Sequence, residues 1–250
     1  MSFIVNVNGK PQVFVHTSNL GTIGRMYGMG VEAPSIDVTA FGDSARRNIL
    51  GQETVSIRYD GLFDSASAYQ QIKDFFQNKR LISIWPDGAY ASAKGAALTT
   101  AIAQQFRPAG QMGEVLSIGF EVISDAQFDN AISYQGLVTT STLFTSTTQD
   151  IATNNTSGGA FFIHILSASA SGGGSPQWVC RFQDSDSDVA GNFTLVADGT
   201  SGITVFNISN GGATSIVQTT TATLRRYHRF RASLDATTGS IIFMAGFGKR

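Results

Sequence analysis

The sequence predicts a mainly β protein, with an α+β first half followed by an all-β second half. Three observations carry that expectation. Several segments alternate apolar and polar residues with period two, the pattern of a strand covered on one face. Beyond the middle of the chain, short alternating runs separated by Gly, Ser, Asn and Asp recur with no helical period, as in a β-sandwich or jelly roll. Charged residues are 14% of the 250, against about 25% in an average soluble domain, while hydrophobic ones are 42%. Ser, Thr, Gly, Asn and Gln fill the difference. That mixture suits strands with a polar uncharged face, and a surface covered by other copies of the chain.

Each element follows from its own residues. Phe3–Val7 and Gln12–Thr17 read as strands joined by a hairpin turn, VNGK, at 7–10. Gly21–Gly30 (GTIGRMYGMG) reads as an irregular, glycine-rich connection. It lacks the Lys-Ser/Thr ending and the G-x-G-x-x-G spacing of a phosphate cradle. Ser35–Ala40 and Thr54–Asp60 alternate, with Ile36, Val38, Val55, Ile57 and Tyr59 on the apolar side. Between them Phe41–Gly51 is polar and too long for a tight turn.

A helix is expected over 66–79. Asp64 or Ser65 can cap it, and Tyr69, Ile72, Phe75 and Phe76 share one face. Lys79 and Arg80 complement its C-terminal dipole. Leu81–Trp85 reads as a buried strand stopped by Pro86-Asp87-Gly88. Ala96–Phe106 and Glu114–Ile123 read as a strand pair. A change of character near Ser124–Ser133 divides the chain into domains 1–130 and 131–250. The second carries candidate strands at 136–144, 160–166, 177–183, 192–197, 203–208, 214–219, 226–234 and 240–247. Ten basic minus twelve acidic residues give −2 for the first domain, and seven minus six give +1 for the second, summing to −1.

Several function classes lose support. A net charge of −1 provides no bulk basic footprint for nucleic acid. One cysteine, Cys180, allows no internal disulfide and no Cys-rich zinc site. No secretory signal or membrane-length apolar run is visible, so a cytoplasmic product without a membrane partner is expected. His16, His164 and His228 have no carboxylate partner or nucleophile elbow nearby, and read as polar-face or half-buried side chains. No enzyme activity and no cofactor are expected.

Asp184, Asp186 and Asp188 (QDSDSDVAG) superficially resemble a calcium loop but miss its Gly and Glu positions, so a solvated hairpin tip is the plainer reading. Arg225, Arg226, Arg229 and Arg231 form the basic cluster LRRYHRFRA. With Tyr227 and Trp178, Arg229 and Arg231 offer a possible polyanion- or sugar-binding surface; a sheet-edge contact is the plainer alternative.

The segment 36–64, IDVTAFGDSARRNILGQETVSIRYDGLFD, resembles the signature of siphophage major tail tube proteins. The resembling features are Ile36-Asp37-Val38-Thr39, Phe41-Gly42-Asp43, Arg46-Arg47, Gly51 and Gly61-Leu62-Phe63-Asp64. The second half looks like domains appended to phage tail proteins, through Phe182-Gln183-Asp184-Ser185, Arg225-Arg226-Tyr227 and a late Phe-x-x-x-Phe.

The resemblance implies a β-sandwich or barrel flanked by one helix, and hexameric rings stacked into a hollow virion tail tube that conducts DNA during ejection. It implies stacking through a loop containing Phe41, Gly42, Asp43, Ser44, Ala45, Arg46, Arg47 and Asn48. It also implies tail partners such as tape measure, terminator and distal tail proteins, with synthesis in a host bacterial cytoplasm. Period two then places Asp37, Thr39, Thr54, Ser56, Arg58, Asp60, Ser117 and Glu121 on a polar face, expected to line the lumen. The second domain is expected to decorate the outside. The alternative is a carbohydrate- or receptor-binding virion module acting through that domain.

Overall fold

The structure, a computed structural model, describes residues 12–20, 24–32, 35–40, 45–50, 54–62, 73, 78–86, 88, 90–109, 117–124, 127–154, 159–196, 205–219 and 223–249. In chain order its first strands are β1 (Gln12–Val15), β2 (Ser18–Asn19), β3 (Gly24–Glu32), β4 (Ser35–Asp37), β5 (Asn48–Leu50), β6 (Thr54–Leu62), β7 (Arg80–Trp85), β8 (Lys94–Ala109), β9 (Ser117–Ser124) and β10 (Gln127–Ser133). There follow β11 (Val138–Thr140), β12 (Phe144–Thr145), β13 (Gln149–Asp150), β14 (Gly159–Ser171), β15 (Gln177–Ser185), β16 (Thr194–Leu195), β17 (Val205–Ile208), β18 (Gly211–Thr219), β19 (Tyr227–Asp235) and β20 (Thr238–Lys249). The fold is mainly β, as the period-two patterning predicts. The helix expected over 66–79 lies outside the described residues apart from Lys73, which is helical, and Asn78 and Lys79, which are not.

The compact units do not follow the chain's two halves. One takes the described residues of Ile23–Arg80 and Thr99–Gln127; the other takes those of Val5–Thr22, Leu81–Leu98 and Phe128–Arg250. A division at residue 130 is therefore not the one seen. The reason is long-range pairing. β1 pairs antiparallel with β7, Val13 opposite Ile84 and Phe14 opposite Ser83. The expected boundary at 124–133 is largely occupied by β10, which pairs with β20, Ala131 opposite Gly248.

In the first unit β3, β6, β9 and the later part of β8 are neighbours in that order. Ile57, Tyr59, Phe120 and Val122 share one face and are buried. The Tyr59 and Phe120 rings stack at 4.9 Å. The stretch expected to be irregular, 21–30, instead contributes β3, with Gly28 opposite Arg58 and Gly30 opposite Ser56. A Cβ on Gly30 would sit 3.1 Å from Ser56 Oγ, so this glycine fits a close cross-strand approach.

The second unit packs two sheets. The larger runs β18-β14-β20-β10-β8-β7-β1-β2, with β11 on β20; the smaller runs β12-β19-β15-β16, with β13 on β19 and β17 on β15. The sheets thus draw on both halves of the chain, since β1, β2, β7 and the start of β8 join strands of the second half in the larger one. Between them lie Phe161, Ile163 and Ile165 of β14, Phe243 and Phe247 of β20, Trp178, Cys180 and Phe182 of β15, and Phe230 of β19. The rings pack at 4.8 Å (Phe161–Phe247), 5.1 Å (Phe182–Phe230) and 5.0 Å (Phe230–Phe243). Each such pair contributes about 0.5–1.5 kcal/mol beyond area burial.

β14 over Gly159–Ile165 and β20 over Phe243–Gly248 are buried on both faces, so there they read as apolar runs instead of alternations. On their other side Phe162 and Met244 join Phe14, Leu81, Trp85, Ala93, Ala97 and Ala131. β1 therefore contributes to the core of the second unit through Phe14. The hairpin turn expected at 7–10 lies outside the described residues. The strand expected over Gln12–Thr17 ends at Val15, and β1 turns at His16-Thr17 into β2, with His16 at φ 51°.

Candidate assembly surfaces

The segment 35–50 is a separate two-stranded hairpin. Its register sets Ser35 opposite Leu50, Ile36 opposite Ile49 and Asp37 opposite Asn48. It continues past the strands, because Val38 N donates to Arg47 O at 2.8 Å. The Thr39 amide and hydroxyl both donate to Asp37 Oδ1, at 2.9 and 2.5 Å, and the Arg47 amide donates to Thr39 Oγ1 at 2.9 Å. These bonds, the hydroxyl's first, hold the Asp37 carboxyl below its usual range. Asp37 and Thr39 thus tie the hairpin together, and they are not on the sheet of β6 and β9 where a lumen wall was expected.

Alternation gives this hairpin two faces. Ile36, Val38 and Ile49 share one of them and are 48%, 43% and 52% exposed. The expectation that Ile36 and Val38 pack into their own core is corrected here: period two reveals a face but not what covers it. Of the expected stacking loop, Phe41, Gly42, Asp43 and Ser44 lie outside the described residues. Ala45, Arg46, Arg47 and Asn48 are exposed on the hairpin's second arm.

The other expected residues fall on the first unit's sheet. Ser56, Arg58 and Asp60 alternate with buried Ile57 and Tyr59, and Glu121 lies directly opposite Arg58. Arg58 Nε reaches Asp60 Oδ2 at 3.3 Å. Such an exposed pair contributes about 0–1 kcal/mol. Thr54 and Ser117 are in β6 and β9, but their side chains are outside what the structure describes. Two acids minus one base leave −1 on this face among Ser56, Arg58, Asp60 and Glu121, because Asp37 is elsewhere.

The second unit redistributes the remaining candidates. Trp178 cannot form a sugar platform: it is 0% exposed, with Nε1 donating to Ser169 O at 3.0 Å. It shares strand parity with Cys180 and Phe182, and that whole face is core. Tyr227 is half-buried, with the Arg226 guanidinium 4.9 Å from its ring centroid. Arg226 makes a two-pronged bond to Asp150, at 2.7 and 2.6 Å, which draws the Asp150 carboxyl down to about 2.

The three aspartates do not converge. Asp184 is buried and accepts the Arg225 amide at 3.1 Å; Asp186 accepts from Asn154 at 3.2 Å and lies 3.6 Å from Arg225; Asp188 is exposed. Among the described residues no three potential ligands gather for a metal.

Two histidines are more deeply buried than expected. Trp85 Nε1 donates to Ser83 Oγ (3.2 Å), the Ser83 hydroxyl donates to His164 Nε2 (3.0 Å), and His164 Nδ1 donates to His16 O (2.7 Å). The neutral Nδ1–H tautomer satisfies this chain. Burial pushes the His164 pKa down to about 4. His228 stacks on Phe247 at 4.9 Å and tilts against Phe161 at 5.6 Å; burial takes it to about 4 as well. Both are structural side chains, remote from solvent.

The exposed apolar hairpin face was missed from sequence. The available signal was that Ile36, Val38 and Ile49 sit between polar segments with no adjoining apolar run.

No protein-family model matches the chain, and no curated protein matches it. Among solved structures, it is similar to a chain in the virion of a native gene transfer agent particle, with 16% identity, 46% of this chain and 90% of that one covered, and a TM-score of 0.37. A chain in the tail of an empty gene transfer agent particle, solved with sixfold helical symmetry, is 17% identical, with 41% and 77% covered and a TM-score of 0.33. The Dit protein of phage SPP1, described as a hub adsorption apparatus, is 8% identical, with 94% and 98% covered and a TM-score of 0.32. Scores at this level establish neither a shared fold nor a shared function.

Proposed function

We propose that this protein is a structural component of a bacteriophage tail, that its copies form hexameric rings, and that the rings stack into a tube. The observation that carries the reading is the hairpin 35–50. It coincides with the segment whose residues resemble the tail tube signature, and it presents Ile36, Val38 and Ile49 to solvent in the single chain. An apolar hairpin face backed by an internal hydrogen-bonded tie is suited to docking on another copy. Arg46, Arg47 and Asn48 beside it can supply polar register contacts.

In such a tube Ser56, Arg58, Asp60 and Glu121 face the lumen. Six copies at −1 give −6 per ring from these residues, a wall that does not grip phosphate. The protein acts without catalysis or cofactor, and DNA passes without specific binding. Tape measure, terminator and distal tail proteins are its other partners, and the virion is its final location. Electron microscopy of concentrated purified protein tests this. Stacked annuli are expected; a dispersed monomer, together with virions that lack the chain, would refute it.

A further inference from the structure

On the outward face of the smaller sheet, Arg181 of β15 lies directly opposite Arg231 of β19. Opposed side chains on such a pair start about 4.5–5.5 Å apart at Cβ, and like charges placed there are destabilising. Among the described residues no carboxylate answers either one. Thr145 faces Arg231 from the other side, and Val205 faces Arg181. The acid of this face on β19, Asp235, is four residues from Arg231, about 13 Å along the strand and beyond the screening length of about 8–10 Å. Arg231 is half-buried, and its Nε is buried without an acceptor among the described residues.

The next row adds to the field. Arg229 sits over the Phe193 ring at 4.1 Å and donates Nε to Gln183 Oε1 at 2.9 Å. Burial, and then the charge of Arg231, hold its guanidinium below the usual range. Three arginines thus occupy adjacent rows of one face, Arg229 fixed by stacking, and Arg181 and Arg231 without a carboxylate partner among the described residues. Arg225 and Arg226, by contrast, are engaged by Asp186 and Asp150.

We infer that Arg181 and Arg231, with Arg229 beside them, form a binding site for a divalent oxyanion of the phosphate or sulfate class. Such an ion can bridge two guanidinia with paired N–H···O bonds, occupy the orphan Nε and remove the like-charge repulsion together. The ligand is the free ion or the same group as an ester on a sugar.

The test is thermal unfolding and calorimetry of the full chain with inorganic phosphate, sulfate, and chloride at matched ionic strength. At phosphate tenfold above Kd, Tm should rise by about 3–6 °C, with no such rise in chloride. Arg181→Gln should raise the anion-free Tm by relieving the repulsion, and should weaken phosphate binding at least about tenfold. Arg226→Gln should leave phosphate binding unchanged. Glucose 6-phosphate separates the sources: tighter binding than inorganic phosphate identifies the sugar ester, and equal or weaker binding identifies the free ion. If Arg231→Gln does not fold, Arg181→Gln decides. No phosphate-specific rise in the wild type, or an undiminished one in Arg181→Gln, overturns the site.

Discussion

Replacing Ile36 and Ile49 together with serine removes the apolar centre of the exposed hairpin without touching the tie made by Asp37, Thr39 and Arg47. The two side chains are 48% and 52% exposed, so about half of each remains to be covered by a neighbour. Fully burying an isoleucine contributes about 1.5–3 kcal/mol, so covering these two halves contributes about 1.5–3 kcal/mol per contact. Its loss weakens each association constant by about 10–150-fold. The single chain should be unaffected, because substitutions at exposed positions change folding by less than about 0.5 kcal/mol. Sedimentation of serial dilutions measures the concentration at which annuli or tubes appear; the double variant should need at least about tenfold more protein. An unchanged assembly threshold with an unchanged Tm would refute the argument that this face is what copies bury.

Three further outcomes follow from the second unit. His164 and His228 have pKa values of about 4, against 6.5 when unfolded, so unfolding takes up protons between those values. Their contribution, roughly 3 kcal/mol each, is complete above pH 6.5 and lost as pH falls through about 4. His228→Phe, flanked by Phe161 and Phe247, should flatten part of that acid loss in urea unfolding at pH 7 and pH 4.5; an unaltered difference would contradict the assignment. Gly95→Ala should destabilise by about 1–3 kcal/mol, because its Cβ would run into the Ile84 carbonyl and lie 2.5 Å from the Trp85 ring; an unchanged urea midpoint would show that the strands separate freely there. Truncation after Ser133 should expose Trp85 and Phe14, whose core partners include Phe162 and Met244, and give a dye-binding, protease-sensitive product. A truncated chain with native-like protease resistance would count against the shared core.

Local alternation was legible where one face is covered: β6 over 56–60 and β9 over 120–123 follow it, and the strands of the second half fall close to the runs that were read. Glycines hid β3, because period two needs side chains to be seen, while Gly30 serves the sheet by lacking one. The same rule misled at Ile36 and Val38, since an alternating pattern fits a face awaiting another molecule as well as one already packed. Trp178 could have been placed correctly, as its parity with Cys180 and Phe182 marks it as core. The unit boundary was not legible. Composition changes near residue 130, but the pairings of β1 with β7 and β10 with β20 span stretches of sequence that no local window compares.

β20 lies between β14 and β10, in the interior of the larger sheet, although it is the last described strand. On a ribosome adding about 5–20 residues per second, Val15 precedes Lys249 by about 10–50 s. From the addition of Trp85 to that of Met244, about 8–32 s, Phe14 and Trp85 have been made but their core partner Met244 has not. The second unit therefore cannot close before β20 has been added. Non-local closure of this kind is slow, and the waiting strands are natural clients for holding chaperones. It also means that a nascent chain cannot present this finished unit to a neighbour before β20 has been added.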